Sequence, residues 1–450
     1  MFTRLPALGA LAAGLAAAAT APSPVTFNKD VLPVMQKRCQ TCHRPGEVAP
    51  MSFLTYSDVR PWAKAIREAV LTRKMPPWFA DPHYGKFSND RSLSKPEMDT
   101  LVSWVDGGAL EGDAKNAPPP VEWVDGWSIG KPDQVFEMPH DFDVPAAGTI
   151  DYQYIVIPSG FTKDMWVEAA EARPGNRKLV HHIIAFVRPP GSKWLQEAKP
   201  GIPFVPVAKK EEGNKNEKKS TGQRRRRDDE DDNAASPELL IGFAPGLVPM
   251  NLPPGQAKLV PAGSDFVFQL HYTANGKSGT DRSRVGVIYA KEPPKERIFT
   301  ANATNSKFVI PPGDPAYRVD SSITLQQAAY LVDLMPHMHY RGKDFEYRLV
   351  YPTGETETVL NVPHYDFNWQ LFYYLSKPIL LPKGTKIECT AHFDNSPNNR
   401  YNPDPKAEVR WGDQTWEEMM IGWFDVAVDA DKNPTDVFRE KKKKTEAAGL

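Results

Sequence analysis

Near residue 131 the spacing of apolar side chains changes from three or four residues to two, so the chain must join a helical unit to a larger one built from strands. Before that point Trp62, Ile66, Ala69 and Val70, and then Met98, Leu101, Val102 and Val105, recur at helical intervals. Ser94 with Glu97 is a capping-box start for the second run, and Gly107-Gly108 is its stop. Residues 114–131, with Pro118-Pro119-Pro120, read as a linker. Beyond it Tyr152, Tyr154 and Val156 alternate with their neighbours, as do Phe266, Phe268 and Leu270. Phe345, Tyr347, Leu349 and Tyr351 run into Pro352-Thr353-Gly354-Glu355 and return through residues 356–362 as a hairpin, and Ile387, Cys389, Ala391 and Phe393 follow Pro382-Lys383-Gly384. Strand pattern over about 300 residues exceeds the need of one sandwich, and Lys291–Arg297, with Pro293-Pro294, is the best internal break. The expected fold class is multidomain: a small all-α domain over 24–113, then two antiparallel, jelly-roll-like β-sandwich domains over 132–294 and 295–437.

Residues 1–21 carry Arg4, an almost unbroken Leu/Ala/Gly run and small residues ending at Ala21, which reads as a secretory signal peptide, with an uncleaved anchor as the alternative. Periplasmic or secreted localisation is the expectation. No later stretch approaches 18 uncharged apolar residues, so no membrane span is expected after signal cleavage. A net charge of −1 and a pI near 6.8 exclude a globally basic surface for nucleic acid or anionic membrane. Residues 209–233, where Arg224–Arg227 meets Asp228–Asp232, lack the apolar content to order themselves and read as a solvated insertion. The tail over 438–450, with Lys441–Lys444, reads as a frayed basic end.

Of the three cysteines, two lie in Cys39-Gln40-Thr41-Cys42-His43, and Cys389 is expected as an unpaired buried thiol. Two thiols at that spacing form thioethers to both vinyls of a haem c while the next imidazole binds the iron; the rival, a thioredoxin-like redox pair, has no use for His43. Met75, in the turn Met75-Pro76-Pro77, is the candidate sixth ligand, with Met51 and His83 as alternatives. The first helix, haem motif, methionine loop and last helix together resemble the small class I cytochromes c.

Five of the other nine histidines fall in three settings: His181-His182, His271 in Leu270-His271-Tyr272, and His337-Met338-His339. Residues i and i+2 of a strand share a face, so His337 and His339 converge readily. Adjacent His181 and His182 point to opposite faces unless the strand is bulged. With the methionine-rich Glu418-Met419-Met420 nearby in character, imidazoles plus thioether suit copper better than zinc.

Over roughly residues 130–430 these motifs, in this order, resemble the copper type II, ascorbate-dependent monooxygenases, the family of peptidylglycine alpha-hydroxylating and dopamine beta-hydroxylating enzymes. The resemblance implies two copper ions: one held by His181, His182 and His271 for electron transfer, the other by His337, His339 and Met419 for O2. It implies hydroxylation of a C–H bond of a small organic substrate. Fusion to the haem unit suggests that electrons from an external donor (a redox protein, a quinol-chain component or an ascorbate-like reductant) pass through haem c to copper. Met335, Ile421 and Trp423 stand where peptide-amidating members carry Arg, Asn and Tyr, so a peptide carboxylate is not the expected substrate. Trp369, Phe372, Tyr373, Trp416 and Trp423 are candidates for an apolar cleft, with a core role as the plainer reading. The remaining histidines, His83, His140, His364 and His392, are expected at the surface. Two other classes stay open: a non-catalytic copper- and haem-binding electron-transfer protein, and an adhesion module with no metal.

Overall fold

A computed structural model describes residues 24–206, except 48 and 125, and residues 237–438. The leader, the charged insertion and the tail from residue 439 onward lie outside the described residues. The chain is mostly antiparallel sheet, with helices confined to a few short segments. Among the described residues no helix is long and apolar enough to cross a membrane.

The N-terminal segment has a core of its own. Helices Leu32–Arg38, Ala63–Leu71 and Lys95–Asp106 surround Phe27, Val31, Met35, Leu101 and Trp104. Ser94 and Glu97 make the reciprocal capping box that starts the last helix, and the buried Trp104 indole N–H donates to the Leu110 carbonyl at 2.9 Å. The stretch after Met75 leaves this core: Trp78 and Phe87 pack on Tyr373. Ser88 N–H donates to the Tyr374 carbonyl and Ser376 N–H to the Lys86 carbonyl, both at 2.8 Å. Residues 86–88 thereby cover the free edge of the Tyr373–Leu381 strand, the end of the largest sheet.

Two β-sandwiches follow, and they share a sheet. In the first, strands Gln153–Pro158, Asp265–Tyr272, Val180–Arg188 and Glu238–Phe243 form a four-stranded layer. Ile183, Ala185, Phe266 and Phe268 of that layer meet Val167, Ala170 and Val285 of the opposing sheet. In the second, Tyr317–Thr324, Lys386–Phe393, Gly342–Val350 and Thr356–Val362 form the outer layer. Phe345, Tyr347 and Phe393 pack there against Leu334, Phe424 and Val426. The inner layers of the two sandwiches are one nine-stranded sheet, because Glu296 and Arg297 pair in parallel with Gln256 and Ala257. The chain crosses from one sandwich to the other between Tyr289 and Glu296.

A buried polar clasp sits at that seam. Lys258, from the first sandwich, places Nζ 3.1 Å from an Asp425 carboxylate oxygen of the second and donates to the Thr300 hydroxyl at 2.9 Å and the Leu239 carbonyl at 3.1 Å. Thr300 in turn donates to Asp425 at 2.6 Å. A buried pair adds little over well-packed apolar residues, but removal of one partner strands the other charge. Lys258→Met should therefore cost roughly 3–5 kcal/mol of unfolding free energy in denaturant titration. Loss of less than about 1 kcal/mol would show that the clasp carries no such constraint.

Candidate metal centres

The first group forms through a register slip. In the Val180–Arg188 strand, Val180 faces Tyr272 and His182 faces His271, so His181 is an extra residue with no cross-strand partner. This bulge is what lets two adjacent histidines serve one point. The three rings lie with centroids 5.0 Å (His181–His271 and His182–His271) and 5.7 Å (His181–His182) apart, and one nitrogen of each falls within 4.8 Å of the others. Ile183 and Tyr272 point into the sandwich core, so the histidine group stands on the outer face of this layer, where Tyr152 packs against His182 and His271.

His181 Nδ1, His182 Nε2 and His271 Nδ1 are buried without a hydrogen-bond partner. Leaving such atoms unmade costs about 1–3 kcal/mol each, which marks them as waiting for something. Burial lowers all three pKa values, that of His271 to about 3, so the group is neutral and ready to donate lone pairs. Three neutral imidazoles whose nitrogens converge could hold a transition-metal ion, copper among them.

The second group is built at a strand end. His337 closes the Ala329–His337 strand opposite Ile421, and His339 lies two residues on, its ring 5.2 Å from that of His337. Both Nδ1 atoms are spoken for: His337 donates to Gln370 Oε1 at 2.9 Å, and His339 donates to the Glu417 carbonyl at 3.2 Å. Gln370 is itself oriented by its amide, which donates to the Phe367 carbonyl at 2.8 Å and the Tyr365 hydroxyl at 3.1 Å. Since a carbonyl only accepts, these bonds fix the tautomer and leave each Nε2 free for a metal. Burial again lowers both imidazole pKa values. Met419 lies two residues before Ile421, the cross-strand partner of His337, and is half-buried. The buried Glu418 beside it accepts the backbone N–H groups of His339 and Arg341 at 2.8 Å and 2.6 Å. Burial pushes its carboxyl up to about 8.

One ring separates the two groups. Phe367 stacks on His181 (centroids 5.7 Å, planes 7° apart) and meets His339 edge-on at 5.9 Å. Tyr340 packs on the same Phe367 at 4.9 Å. Beyond Phe367 a cleft of about 340 Å³ opens, lined by Tyr340, Lys343, Tyr365, Phe367, Arg400 and Tyr401, with His364 at its rim. The aromatics expected there are elsewhere: Tyr373 is core, Phe372 stacks on Tyr374, and Trp416 is exposed. Phe367 and Gln370 were not singled out from the sequence, since an aromatic or amide in a loop carries no periodic signal; Tyr152 and Glu418 were noted only within a strand pattern and a methionine-rich segment, and the roles of all four arise from contacts between distant segments.

In the Cys39–His43 segment both cysteines are free thiols, and burial pushes Cys39 up to about 12 and Cys42 upward. A thioredoxin-like pair needs the opposite shift. His43 Nδ1 donates to the Met51 carbonyl at 3.3 Å and its ring stacks on Phe53 at 4.2 Å, so Nε2 is the free nitrogen. Met75 is half-buried in the turn four residues beyond the Ala63–Leu71 helix, and Met51 packs against the helical core. His83 is exposed and bonded to Asp81 at 2.6 Å. Glu47 bridges Arg44 (2.9 Å) and Arg177 (2.8 Å), and Arg177 lies in the loop that leads into the His181 strand. Cys389 is a buried free thiol packed against Gly422, where a Cβ would meet its sulfur at 2.4 Å.

No family model matches this chain, and no curated protein matches it. Among solved structures it is similar to the infectious bursal disease virus Gt strain (8% identity, 68% of this chain and 72% of that chain, TM-score 0.19). The VP2 subviral particle of that virus is matched at 10% identity, over 68% and 74% of the two chains, with a TM-score of 0.19. Overlap this loose bears on neither site nor activity.

Copper added to the metal-free protein should raise its melting temperature, by about 2.7 kcal/mol of stabilisation per site at a hundredfold excess over Kd. His271→Ala should remove the contribution of the first group, as followed by calorimetry. An unchanged transition in the unsubstituted protein would eliminate both groups as copper sites.

Proposed function

We propose that this chain is an exported copper-dependent monooxygenase, similar to the copper type II ascorbate-dependent enzymes, with electrons delivered through a covalently bound haem c. The observation that carries the reading is the pair of histidine groups facing each other across Phe367, the first with three orphaned nitrogens and the second with both Nε2 atoms left free. Copper bound at these groups would supply one-electron transfer and O2 activation, chemistry that no side chain provides. The overall reaction consumes a substrate C–H bond, one O2, two electrons and two protons, and yields the hydroxylated product and water.

The chain's own residues have definable parts in this. Gln370 and the Glu417 carbonyl hold the His337 and His339 rings in the binding tautomer. Phe367 and Tyr152 keep bulk water off the His181 group. The cleft lined by Phe367 and by Tyr340, the residue after His339, would seat the organic substrate. Its mixture of aromatic walls with Lys343 and Arg400 favours a small molecule with both an apolar and a polar face. Cys39 and Cys42 would tether the haem with His43 as one axial ligand and Met75 as the other. The Glu47–Arg177 ion pair rests the haem motif against the loop that leads to His181, so the first group would be the entry point for electrons.

The purified protein should contain two copper ions and one haem c. Carbon monoxide should bind one of the two Cu(I) ions, the one that the resemblance assigns to O2. On mixing the fully reduced protein with O2 in a stopped-flow instrument, haem oxidation should follow copper oxidation. A haem that stays ferrous while copper turns over would reject the relay, and carbon monoxide bound by neither copper would reject the oxygenase in favour of a pure electron carrier.

A further inference from the structure

The strand pairing that aligns the second group stops short of two of its three proposed donors. The ladder between Ala329–His337 and Ile421–Asp429 ends at the His337–Ile421 pair, before His339 on one side and Met419 on the other. What spans the gap is Glu418. Its side chain is fully buried, with one oxygen accepting from His339 N–H at 2.8 Å and the other from Arg341 N–H at 2.6 Å. Its own backbone is tied on the other side: Glu418 N–H donates to the Arg410 carbonyl, and the Glu418 carbonyl accepts from Gly412 N–H, both at 3.1 Å. The preceding residue contributes the carbonyl that takes the His339 ring proton at 3.2 Å.

Burying a carboxyl among apolar neighbours is costly unless its oxygens are matched by specific donors. Here every matched donor belongs to the backbone of a segment that carries, or adjoins, a proposed metal donor. Arg341, also buried, spends its guanidinium elsewhere, on the Asn395 side chain and the Trp416 carbonyl, each at 2.8 Å. The Glu418 side chain therefore does not serve a side-chain ion pair; it fastens one stretch of main chain to another.

We propose that Glu418 is the positioning residue of the second group: its buried carboxyl replaces the missing ladder beyond His337–Ile421 and sets the Met419 thioether against the His337 and His339 imidazoles. The proposal rests on the reading of Met419 as a donor, and the test separates the two. Copper-loaded full-length protein, Met419→Leu, Glu418→Ala and Glu418→Gln are compared in the Cu(I) state by X-ray absorption, which reports sulfur bound to copper, together with copper affinity and circular dichroism. The unsubstituted protein should show a sulfur contribution that Met419→Leu abolishes. Glu418→Ala should lose it as well, with copper affinity at the second group falling about 10- to 100-fold while the His181 group and the melting profile of the sheets stay largely unchanged. Glu418→Gln keeps the shape and one acceptor oxygen but turns a donor toward one of the two amides, so it should retain part of the sulfur signal and guards against misfolding of the alanine variant. Full sulfur signal and unchanged affinity in both Glu418 variants would overturn the proposal. Equal spectra for the unsubstituted protein and Met419→Leu would instead remove Met419 as a donor, and the proposal with it.

Discussion

Everything about the two histidine groups depends on how the sandwiches are held relative to each other, and that is set by the short parallel pairing of Gln256 and Ala257 with Glu296 and Arg297. Two residue pairs make this link, and the Arg297–Glu238 ion pair at 3.0 Å and the Gln256–Glu296 hydrogen bond at 2.7 Å cross the same seam. The Lys258–Asp425 clasp completes it, because a buried ammonium held by a carboxylate, a hydroxyl and a carbonyl has one satisfactory position. The layers then continue as a single twisted sheet, and the outer face of the first sandwich is brought against the His337 end of the second. Phe367 fills the remaining space and sets the spacing, its face on one group and its edge on the other.

Electrostatics at this junction follow from burial more than from charge. All five imidazoles are driven toward the neutral form by desolvation, and no carboxylate side chain bonds to any of them. The two groups differ in how their nitrogens are spent. At the second, hydrogen bonds to Gln370 and Glu417 fix the ring orientation, whereas at the first the strand bulge and the packing of Tyr152 and Phe367 hold the rings.

Much of this was legible in the residues because it rests on short-range periodicity. The alternation through Phe266, Phe268 and Leu270, the pairing of Ser94 with Glu97 and the shared face of His337 and His339 are local, and a period or a cap declares them. The adjacent His181-His182 pair even states its own geometric condition, and the register slip at His181 meets it. What lay beyond the sequence is set by contacts across long separations. Phe367, Gln370 and Tyr152 sit in irregular segments or at strand starts, where no period distinguishes a spacer from a surface residue. Tyr373, in a strand, went to the core as the plainer reading had it, while Tyr340 and Tyr401, in turns without a period to mark them, line the cleft. Glu418 reads in sequence as one more acid beside Glu417, and only the end of a ladder gives it a task.

The attachment of the helical unit adds a direction to the arrangement. Residues 86–88 extend the second sandwich at the edge of Tyr373–Leu381, and Glu47 contacts Arg177 of the first, so the unit is anchored to both sandwiches and cannot pivot about one. Arg44 reinforces this by lying 4.0 Å over the Trp123 ring while it shares Glu47. These contacts put the Cys39–His43 segment near the His181 side of the junction, whereas the cleft opens beyond Phe367 on the His339 side. A single phenylalanine thus lies between the histidine group on the side of the helical unit and the group on the side of the cleft. That separation follows from packing alone, before any metal is considered.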